Sequence, residues 1–368
     1  MRIFLILFIS SLFASNNALS QGNYFVVSGQ VMNLDNNQPM QGASVFAENT
    51  TIGTTTGADG KFNLYLPPGG YDLIVSFTGF GTERRRITSS DTQNQNLSFS
   101  LKPKEKEMEA VAVIATTEVK NGWEKYGNFF VENFIGKSEN SKDCSIKNPE
   151  KLHFFFSRKR NRLKVTSEEP ILVENRALGY TVHYALDSFT YAYNTQVAYY
   201  TGNPLFEELI PVNDDQRQVW VSKREKAYRG SILHFMRSLY QKRVEEEGFQ
   251  VQYVLNYLGK DTALPLKNLY QALNYFKDDS TQVVSINPSQ HNLVVLYLNE
   301  KPEETYLREN PEENRDFEYS LVNIAPGETL FIEQNGFYFD QDDITMSAYW
   351  GWSKVADQLP YNYISLTF

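Results

Sequence analysis

The sequence predicts a mainly β protein: a small β-sandwich at the front, then a larger β-rich α+β domain carrying one long amphipathic helix. Three observations lead there. Residues 25–101 alternate apolar and polar in short runs broken by turn residues, the pattern of half-buried strands. Aromatics make up 14% of the chain, with 23 Tyr and 25 Phe, which suits pleated sheets. Between Val219 and Glu247 the period changes, and apolar residues recur every three or four positions, as on one face of a helix. At 368 residues the chain is long enough for two domains, each with its own core.

Residues 1–20 read as a separate object. Arg2 gives a short basic start, Ile3 to Phe13 is almost wholly apolar, and Ala18-Leu19-Ser20 supplies small residues for cleavage. These are the marks of a secretory signal peptide, too short for a stop-transfer helix. Cleavage is expected between Ser20 and Gln21, and with no Cys following, no acyl anchor is expected at the mature amino terminus. No later run approaches the apolar length of a spanning helix. The net charge of -9 argues against nucleic acid as the main partner. Cys144 is the one cysteine of the sequence, so an exported chain would depend on its cores rather than on internal disulfides. Its setting, "KSENSKDCSIKN", reads as a plain loop cysteine rather than a reactive thiol.

In the front domain Phe25, Val27, Gly29 and Val31 share one face of the first strand. "LDNNQPMQG" breaks the chain, as Asn, Asp, Pro and Gly do at turns. "ASVFAE" follows as a short strand, and Asp59-Gly60 is a hairpin-turn signal. Phe62, Leu64 and Leu66 line one face of the next strand. Pro67-Pro68-Gly69-Gly70 turns the chain into a strand where Tyr71, Leu73, Val75 and Phe77 alternate, and Leu97, Phe99 and Leu101 close the unit. Short alternating strands at this density make a small β-sandwich.

The stretch "VSGQVMN…QPMQGASVFAENTTIGTTTGADGKFNLYLPPGGYDLIVSFTGF" resembles the carboxypeptidase-regulatory-like domain, a transthyretin-like sandwich, over residues 23–103. The resemblance implies a non-catalytic appendage of exported Bacteroidota proteins, often placed before outer-membrane receptors that import nutrients. It implies no carboxypeptidase. A zinc carboxypeptidase needs closely spaced His and Glu with a second His, and His153, His183, His234 and His291 show no such spacing.

Residues 104–122 read as a linker. Within it "LKPKEKEMEAVAVIATTEV", with alternating Val111, Val113 and Ala115, is similar to the junction leading into the plug of TonB-dependent receptors. No plug follows, and an ordinary connecting strand is the reading preferred. In residues 123–368, "KLHFFFSRKRNRLKVTS" reads as two strands across a basic hairpin, and "EPILVENRALGYTVHYALDSFTYAYNTQVAYYTG" as a Tyr-rich meander. The helix of Val219–Glu247 carries Tyr228, Ile232, Phe235, Met236, Leu239 and Val244 on one face and stops at Gly248. Strands are expected at "QVVSI", "NLVVLYL", "YSLVNIA" and "ETLFIEQNGFYF", with a turn at Asn335-Gly336. "ENRALGYTVHYALDSF", "GNPLFEEL", "KREKAYRGSILHFMRSLYQKRVEEEGF" and "AYWGWSKVADQLPYNY" resemble exported Bacteroidota proteins whose back domain is uncharacterised.

The candidate interaction surface is the basic cluster Lys223, Arg224, Lys226 and Arg229, set against its alternative, a solvated face or internal ion pairs. "KPEETYLRENPEENRDFEY" reads as a flexible acidic loop. "FDQDDIT", with Asp340, Asp342 and Asp343, lacks the Gly and distal Glu of a calcium loop. Tyr191, Tyr193, Tyr199, Tyr200, Trp220, Trp350 and Trp352 are either core or a sugar-stacking platform. Ile364, Leu366 and Phe368 alternate in "YNYISLTF", read as the terminal strand of a soluble domain in preference to a membrane barrel strand. No hydrolase elbow, phosphate-binding loop or dinucleotide fingerprint occurs, and no metal or cofactor is expected. The expectation is an exported, non-enzymatic protein of the periplasm or outer membrane that binds a protein partner as an accessory of an outer-membrane assembly or transport complex. Peripheral membrane association is left open. The rivals are a hydrolase with its active site in the back domain, whose mark is a pocket of converging His, Ser or carboxylate groups, and a glycan-binding protein, whose mark is an exposed aromatic row.

Overall fold

The computed structural model describes residues 24–91, 93–104, 118–257, 260–339 and 341–366. The signal peptide with Ser20 and Gln21, the alternating Val111, Val113 and Ala115, and Asp340 and Phe368 lie outside them. Strands dominate, as the aromatic and period-two patterns predict.

The front of the chain supplies seven strands: β1 (Phe25–Asn33), β2 (Ser44–Ala47), β3 (Gly53–Thr55), β4 (Lys61–Leu66), β5 (Gly70–Ser76), β6 (Glu83–Thr88) and β7 (Leu97–Leu101). They form two sheets, in the orders β4-β1-β7 and β3-β2-β5-β6. Val27, Val31, Phe62, Leu64, Leu66, Tyr71, Leu73, Val75, Phe99 and Leu101 fill the space between them. In β4 the expected alternation holds residue by residue: Phe62, Leu64 and Leu66 are buried, and Lys61, Asn63 and Tyr65 are exposed. The Asp59-Gly60 turn does not close a hairpin. β3 pairs with β2 and β4 pairs with β1, so this turn carries the chain from one sheet to the other.

The outer face of the second sheet departs from the alternation. In β5 not only Tyr71, Leu73 and Val75 but also Asp72 and Ile74 are buried, as is Phe46 beside Ile74. What covers that face is the rest of the chain. Fully burying a Phe or Ile side chain is worth about 1.5–3 kcal/mol, so this contact is a packed junction.

Past residue 118 come α1 (Gly122–Phe134), β8 (Cys144–Ile146), β9 (Leu152–Ser157), β10 (Arg162–Ser167), β11 (Ile171–Asn175), β12 (Tyr180–Ala192) and β13 (Val197–Glu208). β9 and β10 are the expected basic hairpin. The long β12 pairs along one edge first with β11 and then with β10, and along the other with β13. Phe130 and Phe134 of α1 pack onto this sheet with Phe154, Leu163, Phe189 and Tyr184. This helix is absent from the sequence reading.

The single helix expected over Val219–Glu247 is two: α2 (Asp214–Tyr228) and α3 (Ile232–Gln241). Asn213 caps α2 by accepting from Gln216 N–H at 2.9 Å, and Asp214 and Asp215 sit in its first turn, where the helix dipole favours them. Gly230, at φ +72°, breaks the helix, and Ser231 recaps it, accepting from His234 N–H at 3.2 Å. Glu245, Glu246 and Glu247 lie beyond the end of α3, in a turn closed by Arg243.

The remainder holds β14 (Phe249–Tyr257), β15 (Lys260–Pro265), α4 (Leu269–Ala272), β16 (Phe276–Lys277), β17 (Val284–Ile286), β18 (Asn292–Tyr297), α5 (Glu304–Glu309), β19 (Glu318–Ile324), β20 (Leu330–Ile332), β21 (Ile344–Ala348) and α6 (Tyr349–Trp352). One sheet runs β15-β14-β18-β19-β21 and a smaller one β16-β17-β20. A second core gathers there around Met236, Leu239, Phe249, Val295, Ile332 and Trp350. The acidic stretch 301–319 is folded rather than flexible: α5 buries Tyr306 and Leu307, and Glu318 is buried in β19.

The C-terminal alternation does not make a strand. Residues 361–366 run as an irregular strap in which Ser365 is buried while Ile364 and Leu366 are 83% and 74% exposed. The parity is opposite to the sequence reading because Glu225 of α2 holds the strap by its polar atoms. Its carboxylate accepts from Tyr363 Oη at 2.9 Å, Ser365 Oγ at 2.8 Å and Leu366 N–H at 3.1 Å. No helix among the described residues is long and apolar enough to cross a membrane.

Candidate functional site: a cleft at the seam

The seam between the front sandwich and the rest of the chain is built from turns. Asn49, in the left-handed region at φ +54° that Asn tolerates well, exposes its backbone to both sides. Its N–H donates to Pro204 C=O at 2.7 Å, and its C=O accepts from Tyr361 N–H at 2.7 Å. Phe206 N–H donates to Thr50 C=O at 2.8 Å, and the Thr51 and Asn362 side chains bond at 2.6 Å. The loop after β2 is thus gripped by β13 on one side and the terminal strap on the other.

A second grip lies at Gly69-Gly70. Asn335 donates from Nδ2 to Gly70 C=O at 2.9 Å and accepts from Gly70 N–H at 3.4 Å. A Cβ on Gly69 would lie 2.5 Å from Asn335 Cγ, and one on Gly70 would lie 2.5 Å from Glu333 Cγ. The paired glycines are therefore a seat as well as a turn. Arg86 adds its guanidinium over the Phe339 ring at 4.2 Å, and Arg84 donates to Asn203.

Beside these grips opens a cleft of about 240 Å³. The front contributes Glu48 and Asn49, and the remainder contributes Tyr184, Pro204, Tyr338, Trp350, Asp357 and Tyr361 among others. Trp350 is fixed by its Nε1–H donating to Gly230 C=O at 2.7 Å. Asp357 closes a short 3-10 turn. Its Oδ1 accepts from Ser138 Oγ at 2.8 Å and Asn140 Nδ2 at 2.9 Å. Its Oδ2 and the Oε1 of Gln358 are buried without a hydrogen-bond partner among the described residues. Burial pushes the Glu48 carboxyl up to about 7 although Arg84 lies 3.4 Å away. Burial likewise raises Asp357 to about 6 against the hydrogen bonds from Ser138, Asn140 and the Lys354 backbone N–H that favour its charged form.

A neighbouring cavity of about 130 Å³ shares Ala227, Ser231, Trp350, Ser353 and Asp357 with the cleft. Lys223, Lys226 and Arg229 line it, partly exposed and each beside a carboxylate of its own chain. Lys223 pairs with Asp143 at 3.2 Å, Lys226 with Glu303 at 4.0 Å and Arg229 with Glu300 at 2.8 Å. Arg224 points elsewhere: it stacks over Tyr180 at 3.9 Å, donates to Leu178 C=O at 2.6 Å and pairs with Glu208 at 3.2 Å. The helix presents these side chains to carboxylates of its own chain, the alternative weighed from the sequence.

The other candidates disperse. His153 and His183 sit at the surface against Glu118 and Glu207, each at 2.9 Å. His234 is buried, accepts from Gly230 N–H at 3.2 Å and faces Glu247 at 3.4 Å; burial lowers it to about 4. No histidine lines the cleft or its neighbour, while Ser231, Ser353, Glu48 and Asp357 do line the cleft. Nor do the seven aromatics make a platform: Trp220 and Trp350 are buried, and Tyr191 and Tyr193 pack on Phe129. Tyr199 alone of the seven is exposed, at 58%. No group of three or more His, Cys, Asp or Glu among the described residues is placed to hold a metal ion. Cys144 donates to Asn140 C=O at 3.4 Å, and burial pushes its thiol up to about 12.

Glu48, Asp357 and Gln358 went unmarked in the sequence because lone polar residues carry no spacing signal. The one trace is the stretch 348–363, which supplies Trp350, Ser353, Asp357, Gln358, Leu359 and Tyr361 to the cleft.

No curated protein matches this chain. A DUF3823 family protein from Bacteroides ovatus is 9% identical, covering 51% of this chain and 82% of its own, with a TM-score of 0.18. A protein of unknown function from Bacteroides fragilis is 10% identical, covering 88% and 96%, with a TM-score of 0.17. A 9R-lipoxygenase from Cyanothece is 9% identical with a TM-score of 0.17, and the match spans 48% of that enzyme and 59% of this chain. Residues 27–113 match the family model of the CarboxypepD_reg-like domain, a regulatory, non-catalytic sandwich, and that is the family to which the front of this chain is similar.

Proposed function

We propose that this chain is an exported, non-enzymatic binding protein of the periplasm or outer membrane, an accessory of an outer-membrane assembly or transport complex, and that it engages its protein partner at the seam cleft. The observation that supports this is the construction of the cleft. Its walls come from both the front sandwich and the remainder of the chain, and two buried acceptors there lack partners. Unmet hydrogen-bonding capacity in a roomy polar cavity is what a bound group satisfies. On this reading the front domain contributes Glu48 and Asn49 to the binding site rather than serving as a spacer alone.

The test places a photo-cross-linking residue at Gln341, exposed at the cleft, and as a control at Lys159, exposed in the β9–β10 turn. In a bacterium that exports the chain, position 341 is expected to capture a distinct envelope protein and position 159 is not. A chain recovered alone and fully soluble, with no adduct at 341, sinks the proposal.

A further inference from the structure

Resting on the reading that the seam cleft is the binding site, we infer that it receives an organic cation with N–H donors, an ammonium or guanidinium group such as a lysine or arginine side chain presents. Three independent features of the cleft share that chemistry. Its charged lining is of one sign: Glu48 and Asp357 face it, and no Lys, Arg or His is among the lining residues. Two of its lining residues, Asp357 and Gln358, each hold a buried acceptor, Oδ2 and Oε1, without a hydrogen-bond partner among the described residues, a capacity that a donor-bearing guest suits. Its lining residues include Tyr184, Tyr338, Trp350 and Tyr361, aromatic residues of the kind whose ring faces attract cations.

Arg237 and Arg84 are already committed. Arg237 donates to Asn335, Tyr361 and Tyr363 carbonyls. Lys354, beside the lining residue Ser353, packs its stem against Gly136, and burial lowers its ammonium. Arg84 lies closer to Asp72, at 3.1 Å, than to Glu48, at 3.4 Å. A cation entering the cleft meets carboxylates whose protonation is set near neutrality. Glu48 is faced by Arg84, Asp72 and Asp187. Asp357 is faced by Glu303, by the Tyr349 phenol and by the Cys144 thiol, with Ser138 and Asn140 on its Oδ1 and the Lys354 backbone N–H beside the carboxyl. Burial raises both carboxyls, so lowering the pH through about 7 and then about 6 removes the charge that holds the guest.

The experiment is calorimetric titration of the full chain with capped lysine amide, capped arginine amide, butane-1,4-diamine and capped norleucine amide, the last a neutral hydrocarbon counterpart. Cationic ligands are expected to bind and norleucine amide is not. Affinity is expected to fall by about tenfold or more from pH 8 to pH 5.5, one such factor for each lost charge contact. Asp357→Asn and Glu48→Gln are each expected to weaken binding by about tenfold, and Lys159→Ala to leave it unchanged. Tighter binding of the capped residues than of the diamine assigns the cation to a partner's side chain, and the reverse assigns it to a free amine; both support the cation pocket. Equal binding of lysine and norleucine amides, or no pH dependence, overturns it, and neither result depends on a variant folding. If the titrations fail while Gln341 still captures a partner, the cation pocket falls and the binding-protein reading stands. If the cations bind and nothing is captured, the pocket stands and the proposed function falls.

Discussion

Replacing Gly230 with alanine tests the largest departure of the fold from its sequence pattern, because two architectures predict opposite signs. In an unbroken helix over Val219–Glu247, alanine in place of glycine would stabilise the protein by about 1 kcal/mol. The structure instead holds Gly230 at φ +72°, which costs a residue with a Cβ about 1–2 kcal/mol. The new Cβ would also lie 2.3 Å from Glu318 Oε2 and 2.7 Å from Tyr297 Cδ1. Both neighbours are buried, so they must shift, at about 1–3 kcal/mol for overpacking. The expected loss is roughly 2–5 kcal/mol. Urea unfolding followed by tryptophan fluorescence reads it well, since Trp350 donates directly to Gly230 C=O. Stabilisation, or a change below about 0.5 kcal/mol, would refute the two-helix reading.

Three further outcomes follow from the same geometry. Asn335→Ala should cost about 1–3 kcal/mol by stranding buried polar groups of Gly70, and amide exchange at Gly70 should rise with it; unchanged exchange would mean that Asn335 does not hold the seam. Burial raises Glu333 from 4.5 to about 7, so the native state keeps a proton that the unfolded chain has released. Its contribution to stability is full below pH 4.5 and lost as the pH rises through 7, and Glu333→Gln should flatten that slope by on the order of 3 kcal/mol; urea midpoints at pH 5 and 8 that match the parent's would contradict this. Cys144, with its thiol pushed up to about 12, should resist iodoacetamide at pH 8 until urea unfolds the chain, and rapid native labelling would count against its burial.

Local pattern carried the front sandwich far. Alternation in β4 names its buried face residue by residue, because a strand with one face in a core obeys period two whatever lies beyond it. β5 shows where that stops: Asp72 and Ile74 occupy the polar parity, yet the docked remainder of the chain buries them. The helical spacing of residues 219–247 is real in both helices, but a three-residue break leaves apolar residues still three or four apart, so periodicity alone cannot see Gly230. At the strap, alternation marks two parities without saying which faces inward. That choice belongs to Glu225, a charged residue of α2 whose partners lie up to 141 residues away.

By itself the sequence determined most strands of the front sandwich, since each is written in neighbouring residues. It marked Gly69-Gly70 and Asn335-Gly336 as two unrelated turns. Only the tertiary structure brings them together across 265 residues as seat and plug of one seam. The cleft beside that seam has the same origin. Glu48 and Asp357 are unremarkable in their own surroundings and acquire shifted protonation only where folding removes both from water, because desolvation is a property of the assembled site and of no segment within it.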